Sequence, residues 1–244
     1  MNMLPLALIG EDAPFDISSE LTALGFKVCV LPCDVRLQSP VRSHADMLIC
    51  NIGNTVFCNA QYQSANKDIF KLISSYGYTV IGSDTDISPE YPNDILFNVA
   101  TFGNSIIGNL RYTAPEIIDY AEKNSISCVS VKQGYTKCST VLLGNKAAIT
   151  ADTGIASAMI DLGINVLKVQ NSPSAVSING YDYGFIGGAC GVLDHDVYFT
   201  GDIDLHPDGA RILDFCQSNG FNVHALRKGQ LTDVGGIIFL PTLF

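Results

Sequence analysis

The sequence predicts an α/β protein in which five ββαβ units form a pseudo-symmetric propeller, closed by pairing of the N- and C-terminal strands. The first marker of this fold is a residue that ends each helical pattern. This residue is glycine in four places and serine in one: Gly25, Gly77, Ser125, Gly163 and Gly220. A valine or cysteine follows it three residues later, near the start of a β-rich run. Glycine suits this place because it enters the left-handed conformation without a Cβ clash. Repetition at a regular spacing indicates a repeat architecture.

The second marker is a short turn between two apolar runs. Gly-Asn occurs at Gly53-Asn54, Gly103-Asn104 and Gly144-Asn145, and Asp194-His195 takes the corresponding place in another unit. Turns of this composition between β-type runs are typical of β-hairpins. Each unit is therefore predicted to open with a hairpin.

The two ends of the chain supply complementary halves of one unit. Residues 4–10 read as a second strand, 17–24 as the helix and the run KVCVL as the third strand, and the first strand lies at residues 233–241. Closing a ring in this way hides sheet edges that would otherwise invite aggregation. We expect a single domain over residues 1–244. Its units are predicted at residues 46–83, 94–132, 138–170, 184–227, and 231–244 joined with 4–32.

A helix is predicted before the third strand of each unit. The apolar residues Ile69, Leu72 and Ile73 share one face of the pattern over residues 65–75. Pro115 stands at the first turn of the next helix, where a missing N–H group costs nothing. The predicted helices cover residues 17–24, 65–75, 114–123, 155–162 and 210–217.

This repeat resembles the pentein fold, the five-fold ββαβ propeller of the guanidino-group-modifying enzymes. That group includes arginine deiminases, dimethylarginine hydrolases and amidinotransferases, and non-enzymatic ribosome anti-association factors share the fold. The resemblance covers essentially the whole chain and rests on the repeated architecture. The chain is also similar to an uncharacterised bacterial family described only by this fold.

Composition narrows the classes of function. The formal net charge of −10 argues against a general nucleic-acid binder, which normally carries a basic patch. The sequence contains no run of about 18 apolar residues and no signal peptide, so we expect no membrane association. Eight cysteines without a CxxC pair predict free thiols in a reducing, cytoplasmic compartment. The spacing of cysteine and histidine predicts no metal site, no cofactor is expected, and no oligomeric state is indicated.

The candidate reactive groups follow from strand direction. In an antiparallel hairpin, the start of the first strand lies beside the end of the second. Residues at these places are expected to share one rim of the ring, with His206 in the loop just beyond. A thiolate can attack an amidine carbon, an imidazole can move the proton, and carboxylates can hold the delocalised cation. The predicted catalytic residues are Cys138, His206 and Asp152.

The remaining polar residues near this rim are predicted to contact a ligand. A lysine beside the thiol would lower its pKa, and an acidic rim suits a cationic compound. The predicted ligand contacts are Lys132, Tyr135, Lys137, Asp202, Asp233 and Asp12. Each has a structural alternative: Cys138 as a small strand residue, the acids as helix caps or turn residues, and the lysines as solvated loop charges.

The sequence departs from the enzymes that it resembles. Those enzymes carry a nucleophilic cysteine near the C-terminus after a glycine run, whereas Phe239 follows Gly235-Gly236 here. Gly187-Gly188 likewise precedes Ala189-Cys190 in place of the acid of the enzymes' glycine-glycine-acid motif. The catalytic residues of those enzymes are therefore not found at their usual positions in this sequence. Any thiol active site would have to lie elsewhere, with Cys138 at its centre.

Three functions stay open from the sequence. The main expectation is a protein that binds a small, cationic guanidino or amidino ligand at one mouth of the central channel, which makes a small molecule the expected partner. The alternatives are a thiol-dependent hydrolase or transferase with Cys138 as nucleophile, and a non-catalytic protein- or ribosome-associated factor. Whether the chain is an enzyme is left open. An enzyme needs an accessible, acidified thiol, whereas a binding protein can leave Cys138 buried.

Overall fold

The structure is a computed structural model that describes residues 3–244, and it confirms the predicted mixed α/β class. Strands and helices are distributed along the whole described chain. The strands are β1 (Leu6–Gly10), β2 (Lys27–Leu31), β3 (Ile49–Ile52), β4 (Thr55–Asn59), β5 (Thr79–Ser83), β6 (Ala100–Phe102), β7 (Ser105–Gly108), β8 (Ser127–Ser130), β9 (Thr140–Leu143), β10 (Ala147–Thr150), β11 (Asn165–Lys168), β12 (Val176–Ser177), β13 (Cys190–Leu193), β14 (Asp196–Phe199), β15 (Asn222–Ala225), β16 (Leu231–Thr232) and β17 (Ile238–Leu240).

The helices lie close to their predicted positions. The helix predicted over residues 65–75 is divided, because Asn66 interrupts it and Asn59 caps the earlier part with its side-chain oxygen. Within residues 3–244, no helix is both long and apolar enough to cross a bilayer. The helices are α1 (Phe15–Ala23), α2 (Ala45–Leu48), α3 (Ala60–Ala65), α4 (Lys67–Ser75), α5 (Pro115–Lys123), α6 (Thr153–Asp161) and α7 (Gly209–Ser218), with short 3-10 helices at Gly187–Ala189 and Ile203–Leu205.

Five three-stranded sheets share one strand order. In each sheet the first strand is antiparallel to the second, and the second is parallel to the third. The sheets are β17-β1-β2, β3-β4-β5, β6-β7-β8, β9-β10-β11 and β13-β14-β15, and a two-stranded sheet pairs β12 with β16. In the first of them, strands from the two ends of the chain pair, with Leu6 opposite Leu240.

The backbone conformation of the repeat markers is shared between the sheets. Gly25 and Gly220, at the ends of α1 and α7, have φ angles of 90° and 83°. Two non-glycine residues in the described chain also have positive φ: Ser125 at 55° and Asp194 at 52°. Both stand where other units carry glycine, so the local geometry is conserved between units even where the residue differs.

The first strands of the five sheets line one cavity. This central cavity has a volume of about 300 Å³, and each of the five strands contributes to its wall. The contributing strand residues include Asn51, Thr101, Val141, Val192 and Phe239. The helices pack their apolar faces against the sheets, so that Ile17, Ile73, Ile117 and Ile212 are fully buried.

The structure corrects the predicted starts of four of these first strands. Those expected near residues 94 and 233 begin at Ala100 and Ile238. The strand expected from residue 46 begins at Ile49, because residues Ala45–Leu48 form the short helix α2. The strand expected from residue 184 begins at Cys190 after a 3-10 turn, and Gly188 N donates a hydrogen bond to the Cys138 carbonyl (2.8 Å). Compact turns therefore precede the strands, and they carry polar side chains to one end of the central cavity.

Candidate functional site

A pocket of about 270 Å³ lies at this end and contains the buried thiol of Cys138. We call it the thiol pocket. Its wall combines apolar and aromatic side chains with two carboxylates, one imidazole and one thiol. The lining residues are Val41, His44, Met47, Tyr135, Cys138, Ile178, Tyr181, Asp182, Tyr183, Phe185 and Asp233.

The thiol of Cys138 is paired with a buried carboxylate. Its Sγ donates a hydrogen bond to Asp46 Oδ2 at 2.9 Å, and the two residues are only 3% and 1% exposed. Burial, followed by the charge of Asp46, raises the pKa of the Cys138 thiol well above its usual value. Burial also raises the pKa of Asp46 to about 7, although the nearby Lys137 ammonium opposes this shift. The pair therefore holds protons near neutral pH.

One oxygen of Asp46 has no protein partner. Asp46 Oδ1 is buried and accepts no hydrogen bond from any described residue. An unpaired buried carboxylate oxygen is costly, because it has lost its hydration without gaining a donor. This atom can therefore accept a hydrogen bond from a donor that enters the site.

Asn98 fixes the position of the thiol. Its Oδ1 accepts hydrogen bonds from the backbone N–H groups of Lys137 (2.8 Å) and Cys138 (3.3 Å). Its Nδ2 donates to the Asp46 carbonyl and to Cys138 Sγ, both at 3.2 Å. The fully buried amide thus joins the strand start that carries the thiol to the helix that carries the carboxylate.

His44 and Asp233 complete the polar end of the pocket. His44 Nδ1 lies 3.7 Å from Asp233 Oδ1, which is within ion-pair range but too long for a hydrogen bond. Burial lowers the pKa of His44, against the opposing effect of Asp233. Asp233 itself accepts hydrogen bonds from the backbone N–H groups of Gly235 (2.9 Å) and Phe185 (2.8 Å). The carboxylate is therefore held in place, and the imidazole is neutral at pH 7.

Two glycines allow this close packing. A Cβ at Gly188 would overlap the carboxylate of Asp233, and a Cβ at Gly235 would overlap the side chain of His44. Gly235 also has a φ of 77°, which side-chain-bearing residues rarely adopt. The pairs Gly187-Gly188 and Gly235-Gly236 thus lie beside Asp233 and His44.

The same side chains offer a donor set for a metal ion. One ligand atom each from His44, Asp46 and Cys138 lie within 4.8 Å of one another, and all three residues are buried. Nitrogen, oxygen and sulfur donors together suit zinc. No metal ligand was predicted from the sequence, because Cys138 is far along the chain from His44 and Asp46.

Aromatic side chains form the outer wall of the pocket. The Phe185 ring lies 6.1 Å from that of Tyr135 and 6.2 Å, edge to face, from that of Tyr183. The Tyr135 hydroxyl donates to Asp94 Oδ2 (2.6 Å), and the Tyr181 hydroxyl donates to Gln38 Oε1 (2.8 Å). Both hydroxyls are thus occupied by protein partners, which leaves ring surface for contact with a ligand.

The structure brings together some of the residues predicted from the sequence. Cys138, Tyr135 and Asp233 line the thiol pocket. Lys137 directly precedes Cys138 in the chain, but it lines the central cavity and not the thiol pocket. Its ammonium is close enough to lower the pKa of Asp46.

The other predicted residues lie outside the thiol pocket. His206 is buried, and its Nδ1 accepts a hydrogen bond from Asp208 N (3.0 Å). Asp152 caps α6 by accepting from Ile155 N (2.8 Å) and lines a separate pocket. The Asp202 carboxylate accepts a hydrogen bond from Gly229 N, and the Asp12 carboxylate accepts one from Ser43 Oγ. Lys132 is exposed. The functional roles assigned to these residues stay predictions.

Sequence reasoning missed His44, Asp46 and Asn98. Asp46 and Asn98 precede the first strands β3 and β6, and Cys138 and Asp233 precede β9 and β17. The rule that led to Cys138 and Asp233 would have found Asp46, at the predicted start of its strand, had it been applied to every unit. Asn98 offers no such signal, because the first strand of its unit was predicted to begin before it. His44 offers no such signal, because it lies in the crossing loop before α2.

Solved structures with the same fold modify or transfer guanidino-type groups. The chain is similar to dimethylarginine dimethylaminohydrolase from Pseudomonas aeruginosa in complex with citrulline, with 12% identity, 96% coverage of each chain and a TM-score of 0.57. It is similar to inosamine-phosphate amidinotransferase from Streptomyces griseus, with 12% identity, 93% of this chain and 79% of that chain covered, and a TM-score of 0.61. An amidinotransferase of saxitoxin biosynthesis from Microseira wollei gives 12% identity, 96% and 90% coverage, and a TM-score of 0.58.

These similarities confirm the resemblance to the guanidino-group-modifying fold, and at such identities they concern the fold alone. The chain belongs to DUF6873, a family of unknown function whose sequence profile matches residues 8–238. A search of curated proteins finds no significant match.

The buried carboxylate predicts an unusual dependence of stability on pH. Asp46 has a pKa of about 7 in the folded chain against an ordinary value of 3.8, so the folded state binds its proton more tightly than the unfolded state. Its contribution to stability is full below pH 4 and is lost as the pH rises through 7. Between pH 5 and 8, we expect the free energy of unfolding to fall by on the order of 2 kcal/mol relative to Asp46→Asn, which does not titrate.

Urea denaturation of both proteins at the two pH values measures this difference. Asp68→Asn is the matched control, because the Asp68 side chain is 97% exposed, and its difference from the native chain should not depend on pH. An Asp46→Asn difference that stays constant, or changes in the opposite direction, would contradict this assignment.

Proposed function

We propose that the chain binds a small cation that carries a guanidinium or amidinium group in the thiol pocket. The observation that carries this proposal is the buried carboxylate of Asp233 on the pocket wall, with the unpartnered, buried Oδ1 of Asp46 beside the Cys138 thiol. A planar cation with several N–H donors matches carboxylate acceptors in both charge and geometry. The names of the similar proteins, which concern dimethylarginine and amidino transfer, support the same ligand chemistry.

The proposed architecture is the five-fold ββαβ propeller, a single domain closed by the pairing of β1 with β17. Two observations support it: the shared strand order of the five sheets, and the contribution of each first strand to the wall of the central cavity. In this arrangement, the thiol pocket is at one mouth of the channel. A ligand in the mouth would then meet side chains from several units at once.

Electrostatics favour a cation at this place. The charge of Asp233 raises the pKa of Asp46, and the charges of both carboxylates raise the pKa of Cys138. A positive group between them would replace this repulsion with two attractive contacts. Binding should therefore favour the ionised forms of Asp46 and Cys138 and release protons near neutral pH.

Isothermal titration calorimetry with propylguanidine tests the proposal. At pH 7 we expect saturable binding whose heat depends on the ionisation enthalpy of the buffer, because protons leave the site. Asp46→Asn removes the negative charge, so it should weaken binding about tenfold or more, which corresponds to roughly 1.4 kcal/mol, and reduce proton release.

Asp68→Asn, at an exposed site on α4, should bind propylguanidine as the native chain does. Absence of binding by the folded native chain, or unchanged affinity in Asp46→Asn, would overturn the proposal.

A second candidate is a thiol-dependent hydrolase or transferase. It is favoured by the proximity of Cys138 to His44 and Asp46. The bound cation would lower the thiol pKa, and the thiol proton would pass to the imidazole. Sulfur would bond to the amidine carbon, and the carbon–nitrogen bond would break as the leaving amine takes that proton. Water, or an acceptor amine in a transferase, would then displace the thiol; with water, the net change is guanidine plus water to urea plus amine.

Release of amine from propylguanidine, followed by mass spectrometry, separates the two candidates. An enzyme should release amine with the native chain, and Cys138→Ser should lose this activity while it keeps affinity for the ligand. Cys216→Ser is the matched control, because Cys216 is buried outside both the thiol pocket and the central cavity. If propylguanidine binds but no amine is released, the chain is a binding protein for this compound and does not hydrolyse it.

A further inference from the structure

The charged side chains that line the thiol pocket are acidic. Among its described lining residues there are two aspartates and no lysine or arginine. Asp233 lies at its buried end, and Asp182 is exposed at its mouth. The nearby Lys137 instead lines the central cavity. An anionic group that entered the thiol pocket would therefore find no positive side chain on its wall.

The walls between the mouth and the buried end are aromatic. Phe185 is tied to Asp233 by the hydrogen bond from its backbone N–H (2.8 Å). Its ring packs between those of Tyr135 and Tyr183. Aromatic faces attract cations and accept alkyl groups, which makes such walls suitable for substituted cations. The pocket thus combines a carboxylate at its base and another at its mouth with rings along its side.

From this combination we infer that the ligand is an alkyl-substituted guanidinium or amidinium that carries no carboxylate group. The inference rests on the proposed function and narrows it. The cation lies against Asp233 at the buried end of the pocket, with Asp46 beside the thiol, and the alkyl substituent lies against Phe185 and Tyr183. A carboxylate on that substituent would lose its hydration without a positive partner and would be repelled by Asp182. Amino-acid and other carboxylate-bearing guanidines are therefore excluded as good ligands.

A matched pair of compounds isolates the carboxylate. Propylguanidine and 4-guanidinobutyrate carry the same guanidinium on a three-carbon chain, and only the second ends in a carboxylate. Titration calorimetry at pH 8 should show that the native chain binds propylguanidine about tenfold or more tightly. Equal affinities, or a preference for 4-guanidinobutyrate, would overturn the inference. Failure of both compounds to bind the folded chain would instead overturn the proposed function.

Variants of the wall and the mouth test the cause of this selectivity. Asp182→Lys places a positive group at the mouth and should reduce the preference for propylguanidine about tenfold. Asp119→Lys, on an exposed position of α5, is the matched control and should leave the preference unchanged. Phe185→Leu keeps an apolar wall without a ring and should weaken binding of propylguanidine about threefold or more. An unchanged preference in Asp182→Lys would show that the mouth charge does not select the ligand.

Discussion

The hydrogen bond between the Cys138 thiol and the Asp46 carboxylate is the interaction on which the site depends. Burial raises the pKa of both groups. The charge of Asp46 raises the pKa of Cys138 further, whereas the hydrogen bond from the thiol lowers the pKa of Asp46, so the thiol keeps its proton near neutral pH. Asn98 stabilises the arrangement through hydrogen bonds to both residues, and Lys137 adds a nearby positive charge. Removing one partner would leave the other uncompensated.

This interaction also ties the function to the architecture. Asp46, Asn98, Cys138 and Asp233 precede β3, β6, β9 and β17, which belong to four different sheets. No single unit could form the site, because each supplies one polar group from the turn before its first strand. The fifth first strand, β13, takes part through Gly188, whose lack of a side chain makes room for Asp233.

Much of the fold could be predicted from the sequence, because the repeat depends on local backbone geometry. A positive φ at the helix ends and hairpin turns requires glycine or a tolerated substitute, and Ser125 and Asp194 occupy such places. The site was less accessible to prediction. Cys138 and Asp233 followed from strand direction, but Asp46 lies on a helical turn where a strand was expected. His206 and Asp152 were attractive as polar residues near strand ends, yet their contacts are with their own loop and helix.

The C-terminal strand β17 is held by aromatic packing. Phe239 packs against Phe26 and Tyr198 at ring distances of 4.8 and 5.3 Å. Aromatic packing of this kind stabilises the core beside the terminal strand pair. The unit that contains β17 supplies Asp233 to the site, whereas the thiol is on the unit that begins at Cys138.

The pH dependence of Cys138 alkylation is the most direct test of the central claim that this thiol shares its site with the Asp46 carboxylate. Labelling by iodoacetamide, followed by mass spectrometry, should be slower at Cys138 than at the exposed Cys128 at pH 8. The apparent pKa of Cys138 should fall in Asp46→Asn, because a neighbouring negative charge is removed. Rapid labelling of native Cys138 with a pKa below the free-thiol value of about 8.5, or a pKa unaffected by Asp46→Asn, would contradict the account.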